Sequence, residues 1–600
     1  MTNVNNLDGV FEPDLRLGVV STVEATSVRV NLHKAGSIGG SLHRGTRYGL
    51  GEVGEFVLIE TELAALLGRI IEVRLPESER LEVSRETGDG VSVNALARVQ
   101  LLGTVALSDL SVTAGIASHP RLGDRVYSAP DTFLASVALR MERGEKQPEV
   151  TLKIGTINSA RDADVRLTPE RLFGRHCAVL GATGGGKSFT VSRLIEECLH
   201  FKSKVILIDA TGEYRDLNAH TSHVYLGTPT GEPSTATKCA LPYSGFTESD
   251  FLALFEPAGK TQGPKLRAAI RSLRLVKKVP RLTTAGKPGL LVRANRRKQE
   301  ILSEEAKPEI SRLLDDPTSP FDPSKLASQI QEECVWETAF VNRVPSPDQW
   351  GDYDGNTFSY CMSLLTRING VLVSKALECV FGANQGPSIT ERIDQFLEGS
   401  NRLLRISLEG IYFEFSAREI IANALGRYLL QKARTGAFRK RPVVVFVDEA
   451  HNFLGRNLGG EDSQYRLDAF ELISKEGRKY GLNLCLATQR PRDITEGVLS
   501  QIGTLIVHRL TNDKDREVVE RACGEIDGSA AAFLPTLEPG EAAVVGVDFP
   551  IPLTVKINEP STRPASQGAQ FQAYWTNSLP AVRVNASGDV PPPSSAQRTK

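Results

Sequence analysis

With 600 residues, 40% of them hydrophobic and 24% charged, the chain has the make-up of a soluble globular protein of several domains, about four by length. Its net charge of −1 excludes a globally basic nucleic-acid binder and leaves that role to local patches. Eight scattered cysteines without a C-x-x-C pair exclude a zinc site or disulfide frame, and no apolar run nears the roughly 18 residues of a membrane helix, so a cytoplasmic protein without a membrane anchor is expected.

Residues 1–155 read as an N-terminal β domain. Short apolar runs at 15–23, 27–32, 54–59, 68–73 and 99–105 alternate with glycine turns, a spacing that favours a small barrel. His33, His43 and His119 are isolated there and form no catalytic set.

The first part of an α/β core is expected over 156–244. Cys177-Ala-Val-Leu180 reads as a buried strand, and Val191, Leu194, Ile195, Cys198 and Leu199 fall at helical spacing after it. Between them lies Gly181-Ala-Thr-Gly-Gly-Gly-Lys-Ser188. A strand, a glycine loop and a helix in that order make G-x-x-x-x-G-K-[ST] a phosphate cradle. Gly184, Gly185, Gly186, Lys187, Ser188 and Phe189 are the expected nucleotide-binding residues. Lys187 is placed to reach the β- and γ-phosphates, and Ser188 to hold Mg²⁺. The next strand, Lys204-Val-Ile-Leu-Ile-Asp209, leads into Ala210-Thr-Gly-Glu-Tyr214. Asp209 and Glu213 stand on the edge where α/β sheets bind ligands, or else cap the following turn.

Residues 245–400 read as an α-helical insertion. Leu266, Ala269, Ile270, Leu273 and Val276 share one helical face, and Leu326, Ile330 and Cys334 repeat the pattern. From Lys265 to Lys298 there are 12 Lys/Arg and no Asp or Glu. Such a run is either a sequence-blind phosphate-binding stripe or a solvated face.

The core resumes over 401–560. Ser416-Ala-Arg-Glu419 has the pattern of a capping box opening a helix. Pro442-Val-Val-Val-Phe-Val-Asp-Glu449 is a buried strand ending in two acids. Asp448 is expected to hold the Mg²⁺ shell and Glu449 to activate water. A later strand delivers Gln489, a candidate γ-phosphate sensor. Gly481 is suited to stop the helix that precedes that strand. Residues 561–600 read as a flexible tail, with Phe571, Tyr574 and Trp575 as an aromatic anchor and a disorder-like Pro591-Pro-Pro-Ser-Ser595.

These motifs resemble the HerA family of DNA translocases, within the HerA–FtsK group of ring motors. The resemblance rests on the Arg175–Ser188 stretch, Ile208-Asp-Ala-Thr-Gly-Glu-Tyr214, Val447-Asp-Glu-Ala-His-Asn-Phe453, Glu476-Gly-Arg-Lys-Tyr-Gly481 and Ala487-Thr-Gln-Arg-Pro491. It implies an α/β fold with a RecA-like P-loop ATPase core, and a homohexamer around DNA with ATP between subunits. Arg478 matches the family's arginine finger, and Arg175 a second arginine near that interface. A nuclease or effector partner, in DNA-end processing or anti-phage defence, is implied as well. Ala210-Thr211 departs from the Pro-His common in relatives. Two other readings compete: a ring platform that binds ATP to recruit an effector, and a protein-moving motor. Arg456 is the expected pore contact.

Overall fold

Alternating apolar residues close the N-terminal strands into a barrel. Arg16–Val23, Ser27–Leu32, Phe56–Glu60, Ala64–Arg74, Ala95–Ala106 and Arg125–Ser128 pair all the way round, with Ser27–Leu32 joined to Ala95–Ala106. Val28, Val30, Leu32, Val57, Ile59, Leu66 and Val99 fill one of its cores, as period-two patterning requires. The computed structural model describes residues 9–565, apart from 34–40, 44–45, 49–50, 76–94, 142–147, 158–162, 285, 383–385, 455–456, 459–464, 523–532 and 550, together with residues 571 and 575. Arg456, Tyr574 and the Pro591–Ser595 run lie outside the described residues.

The core is one twelve-stranded sheet. Its strands in chain order are β1 (Leu152–Thr156), β2 (Asp164–Leu167), β3 (Cys177–Leu180), β4 (Lys204–Asp209), β5 (Thr221–Tyr225), β6 (Thr237–Lys238), β7 (Leu403–Ser407), β8 (Val443–Val447), β9 (Leu482–Thr488), β10 (Thr504–Val507), β11 (Glu541–Val545) and β12 (Leu553–Ile557). The spatial order is β2-β1-β12-β11-β10-β3-β9-β8-β4-β7-β5-β6. Strands β10 to β6 in that order are parallel, and the other four form an antiparallel extension. Strand β1 falls within the stretch expected to finish the barrel domain, but its edge pairs with β12, so it belongs to the core sheet.

Six helices matter below: α1 (Lys187–Leu199), α2 (Glu248–Phe255), α3 (Gly259–Lys278), α4 (Leu326–Glu333), α5 (Gly355–Val373) and α6 (Ala417–Arg434). Phe251 and Phe255 of α2, Leu266 of α3, Ile330 of α4 and Cys361 and Ile368 of α5 share one apolar core with Ile206, Ile208 and Leu404 of the sheet. The inserted helices are thus built onto the sheet face. A smaller core around Leu275, Ile301, Ile310 and Trp350 extends them outward.

The Ser416–Glu419 capping box does not form. Phe415 and Ser416 take left-handed backbone angles (φ 57° and 51°), and Ser416 makes no side-chain cap bond. The serine hydroxyl needs an extended N-cap backbone to reach the N3 amide. Gly481 (φ 78°) does end the helical segment before β9 with a left-handed turn. Seven described cysteines are buried and free. No described helix is long and apolar enough to cross a membrane.

Candidate active site

Four neighbouring parallel strands, β3, β9, β8 and β4, bring residues from distant parts of the chain to one sheet edge. Leu180 is level with Thr488, Leu486 with Val447, and Val447 with Ile208. The segments after these strands therefore emerge together, at the carboxyl edge where open α/β sheets bind ligands.

The glycine loop is shaped by its floor. Gly184 and Gly186 have φ of 79° and 109°, angles open to glycine. A Cβ at Gly181 would lie 2.7 Å from His508 Cβ, and one at Gly186 would lie 3.2 Å from the His508 ring. His508, fully buried at the end of β10, is held by the Glu541 carbonyl (2.8 Å) and Thr190 Oγ1 (2.7 Å). Burial lowers its pKa to about 4, so the ring is neutral. Its Nδ1–H donates to Glu541, and Nε2 accepts from Thr190. Gly186, the residue before helix α1, gives it no side-chain cap, which leaves the amides of Lys187, Ser188 and Phe189 for an anion.

Lys187 is 5% exposed. Its Nζ lies 2.9 Å from Asp448 Oδ1 and 3.1 Å from Glu449 Oε1. Burial alone would lower the ammonium's pKa, but the two carboxylates outweigh it and raise it. Gln489 Nε2 donates to Glu449 Oε1 (2.7 Å), and Thr183 Oγ1 of the glycine loop donates to Gln489 Oε1 (2.5 Å). Glu449 Oε2 makes no hydrogen bond of proper geometry, with His451 Nδ1 3.3 Å away. Glu449 itself sits at φ 46°, strain of a kind found at functional sites. Thus Lys187, Asp448, Glu449 and Gln489 meet in one network.

Arg175 and Arg478 do not join it. Arg175 precedes β3 and pairs with Asp548 (3.3 Å). Arg478 is exposed on the turn before β9, close enough to His176 for its charge to help burial lower that ring's pKa to about 4. Gln489 follows the far end of the same seven-residue strand. At about 3.3 Å per residue the two ends are roughly 20 Å apart.

Asp209 faces into the fold. It is fully buried, accepts the Gly212 amide (2.8 Å) and pairs with Arg405 Nε (2.7 Å), which also grips Glu232 (2.6 Å). Of the two readings open in the sequence, turn capping is the one seen. Thr211 donates to Asp448 Oδ2 (3.2 Å), and Glu213 stands beside Ser188. Nothing in the pattern pointed to His508, and Thr211 stood out only as a departure from relatives. Arg405 carried a signal, since a charge inside an apolar strand run demands a buried partner.

Magnesium fits these residues. Ser188 offers a hydroxyl, Asp448 a carboxylate, and Glu213 Oε2 is buried without a hydrogen bond of proper geometry. Among the described residues no group of three or more His, Cys, Asp or Glu is arranged to hold a metal alone. An ion held largely by phosphate oxygens and water needs no such group.

The basic run of the insertion is mostly neutralised. Arg267 pairs with Glu248, Arg271 with Glu305 and Asp315, Arg281 with Glu304, Lys287 with Glu332, Arg293 with Glu333, Arg296 with Glu300 and Lys298 with Glu337. Lys265 and Arg274 donate to main-chain carbonyls. Lys277, Lys278 and Arg297 are exposed with no such partner among the described residues. In the tail, Phe571 and Trp575 are exposed and pack edge-on against each other, 4.8 Å apart.

A parallel sheet with a glycine loop, a buried lysine and two strand-end acids defines a RecA-like P-loop ATPase core. The Helicase HerA central-domain model matches residues 152–333, from β1 to the end of α4. A probable helicase of Methanocaldococcus jannaschii is 23% identical over 537 residues, covering 87% of this chain and 90% of that protein. The DNA double-strand break repair helicase HerA of Saccharolobus solfataricus is 24% identical over 411 residues, 68% of each chain. Among solved structures, VirB4 of Thermoanaerobacter pseudethanolicus covers 71% of this chain and 98% of its own, at 14% identity and a TM-score of 0.42. Residues 152–333 thus match the HerA central domain, and the wider chain is similar to HerA-type helicases.

Proposed function

We propose that this protein is an ATP-driven DNA translocase or helicase working as a homohexameric ring, with a nuclease or effector partner in DNA-end processing or anti-phage defence. The carrying observation is the single network of Lys187, Asp448, Glu449 and Gln489 at the carboxyl edge. On ATP binding, Lys187 leaves the two acids for the β- and γ-phosphates. Ser188 and Asp448 would hold Mg²⁺, which would supply charge to offset that developing on the phosphates. Glu449, freed from Lys187, orients and deprotonates the attacking water through Oε2. Gln489 links the γ-phosphate position to that carboxylate.

Arg478 and Arg175 stand too far from the chain's own phosphate loop to serve it, and both are solvent-accessible. They suit a neighbour's nucleotide, which is the support for a ring. The test is ATP turnover with and without DNA duplexes, together with mass in solution. Duplex-stimulated turnover by a species of six chains is expected. An inert monomer would overturn the reading.

One observation favours the platform alternative. Among the described residues the basic run of the insertion leaves only Lys277, Lys278 and Arg297 unpaired, while the hairpin of Ala339–Val341 and Val344–Ser346 exposes Phe340 (72%) and Val344 (64%). That surface suits a protein better than phosphates. On this alternative, partner activation survives loss of Glu449 but not of Lys187.

A further inference from the structure

The loop after β4 is tied down from below by groups that take no part in the chemistry described above. Asp209 Oδ1 accepts the Gly212 amide at 2.8 Å and the Thr211 amide at 3.3 Å. Its Oδ2 accepts the Tyr214 amide at 3.2 Å and Arg405 Nε at 2.7 Å. Arg405 is held in turn by Glu232, and Arg418 donates to the Ala210 carbonyl at 3.1 Å. A wholly buried arginine between two carboxylates adds little stability over apolar packing, and this one holds the Asp209 carboxylate in place. Here the fixed element is the five-residue loop 210–214.

What the loop presents is polar and under-satisfied. The Thr211 hydroxyl donates to Asp448 Oδ2, while Asp448 Oδ1 takes Lys187. Glu213 Oε2 is buried and makes no hydrogen bond of proper geometry, with the Ser188 hydroxyl as its neighbour. Tyr214 is 1% exposed, and its hydroxyl makes no hydrogen bond of proper geometry. Both side chains lie beside Ser188 and within the field of Asp448. Each buried polar oxygen left unpaired costs about 1–3 kcal/mol. Water molecules of a hydrated cation donate hydrogen bonds, and these orphaned oxygens can accept them.

We propose that loop 210–214 is the second wall of the Mg²⁺ position, with Glu213 accepting hydrogen bonds from metal-bound water and Thr211 orienting the Asp448 carboxylate. The inference rests on the nucleotide-hydrolysis reading of the same site. Glu213 and Thr211 are positioning residues, acting through water and through Asp448. Once Lys187 moves to the phosphates, Thr211 is what keeps the Asp448 carboxylate aimed. Outer partners of this kind typically change metal affinity 10–100-fold.

The experiment is equilibrium binding of a fluorescent ADP analogue, titrated with Mg²⁺, to the full-length protein and to Glu213→Gln, Thr211→Val and Thr211→Ser. Glu213→Gln should raise the half-saturating Mg²⁺ at least about tenfold. Thr211→Val should raise it severalfold, and Thr211→Ser should restore it. Affinity for the analogue without Mg²⁺ should stay parental in both Thr211 variants and should not fall in Glu213→Gln, which removes one negative charge. Unchanged Mg²⁺ dependence in both Glu213→Gln and Thr211→Val overturns the proposal and leaves the ATPase reading standing. An equal loss with and without Mg²⁺ overturns it in favour of a purely structural loop. A parental protein that binds no nucleotide overturns both readings together.

Discussion

Glu449→Gln separates binding from chemistry in this site. In the parental chain Glu449 Oε1 accepts from Lys187 (3.1 Å) and Gln489 (2.7 Å), and Oε2 is left for water. A glutamine keeps the shape and an acceptor oxygen but takes no proton. General-base catalysis contributes about 10²–10⁴ in rate, or about 2.7–5.4 kcal/mol. Turnover should fall by that factor. Binding should not, because the substitution also removes one negative charge next to the triphosphate. The buried cluster of one ammonium and two carboxylates becomes a neutral pair, so the nucleotide-free protein should unfold at the same or a higher temperature. Steady-state phosphate release, titration with a fluorescent ATP analogue and a thermal melt check the three parts. Parental turnover would refute the assignment of Glu449 as base. A large loss of nucleotide affinity would refute the reasoning from charge.

Mixtures of Arg478→Ala and Lys187→Ala chains should regain ATP turnover that neither has alone, since in the proposed ring some interfaces keep both intact partners; no complementation in a turnover assay counts against a finger acting across subunits. Arg405→Ala leaves Asp209 and Glu232 as uncompensated buried acids and should cost about 3–5 kcal/mol, read from the shift of the urea-unfolding midpoint. His176 and His508 both have folded pKa values lowered from 6.5 to about 4. The unfolded chain therefore binds more protons between those values, and the stability present above pH 6.5 is lost as pH falls toward 4, by about 3 kcal/mol per histidine. Unfolding midpoints that stay flat over that range would contradict two neutral buried rings. Replacing Lys277, Lys278 and Arg297 together by Ala should lower the salt slope of DNA binding by no more than about 3, and an unchanged slope would show that DNA does not use this face.

Several features were legible because their physics is local. The glycine loop needs particular backbone angles at Gly184 and Gly186, and a helix start must follow it. The apolar run Val443–Val447 ends in two acids because a strand buried on both faces can carry charge only at its end. Alternation in Ser27–Leu32 and its neighbours announces a barrel wall. The capping box failed because its hydroxyl depends on one N-cap dihedral, which the turn at Phe415 and Ser416 overrode.

The rest is a matter of what lies opposite. The twelve positive charges from Lys265 to Lys298 look like a phosphate stripe until Glu248, Glu300, Glu305, Asp315, Glu333 and Glu337 fold against them, because distant acids carry no mark of their pairing. Likewise His508 is one residue at the end of a strand until strand order puts it beneath the glycine loop. The sequence by itself determined which chemistry the chain holds, because phosphate binding and strand burial need fixed residue types at fixed short spacings. Only the tertiary structure decided which groups meet, why Asp209 faces inward while Thr211 reaches Asp448, and on which edge Arg478 stands, because the order of parallel strands is set by packing across the whole sheet.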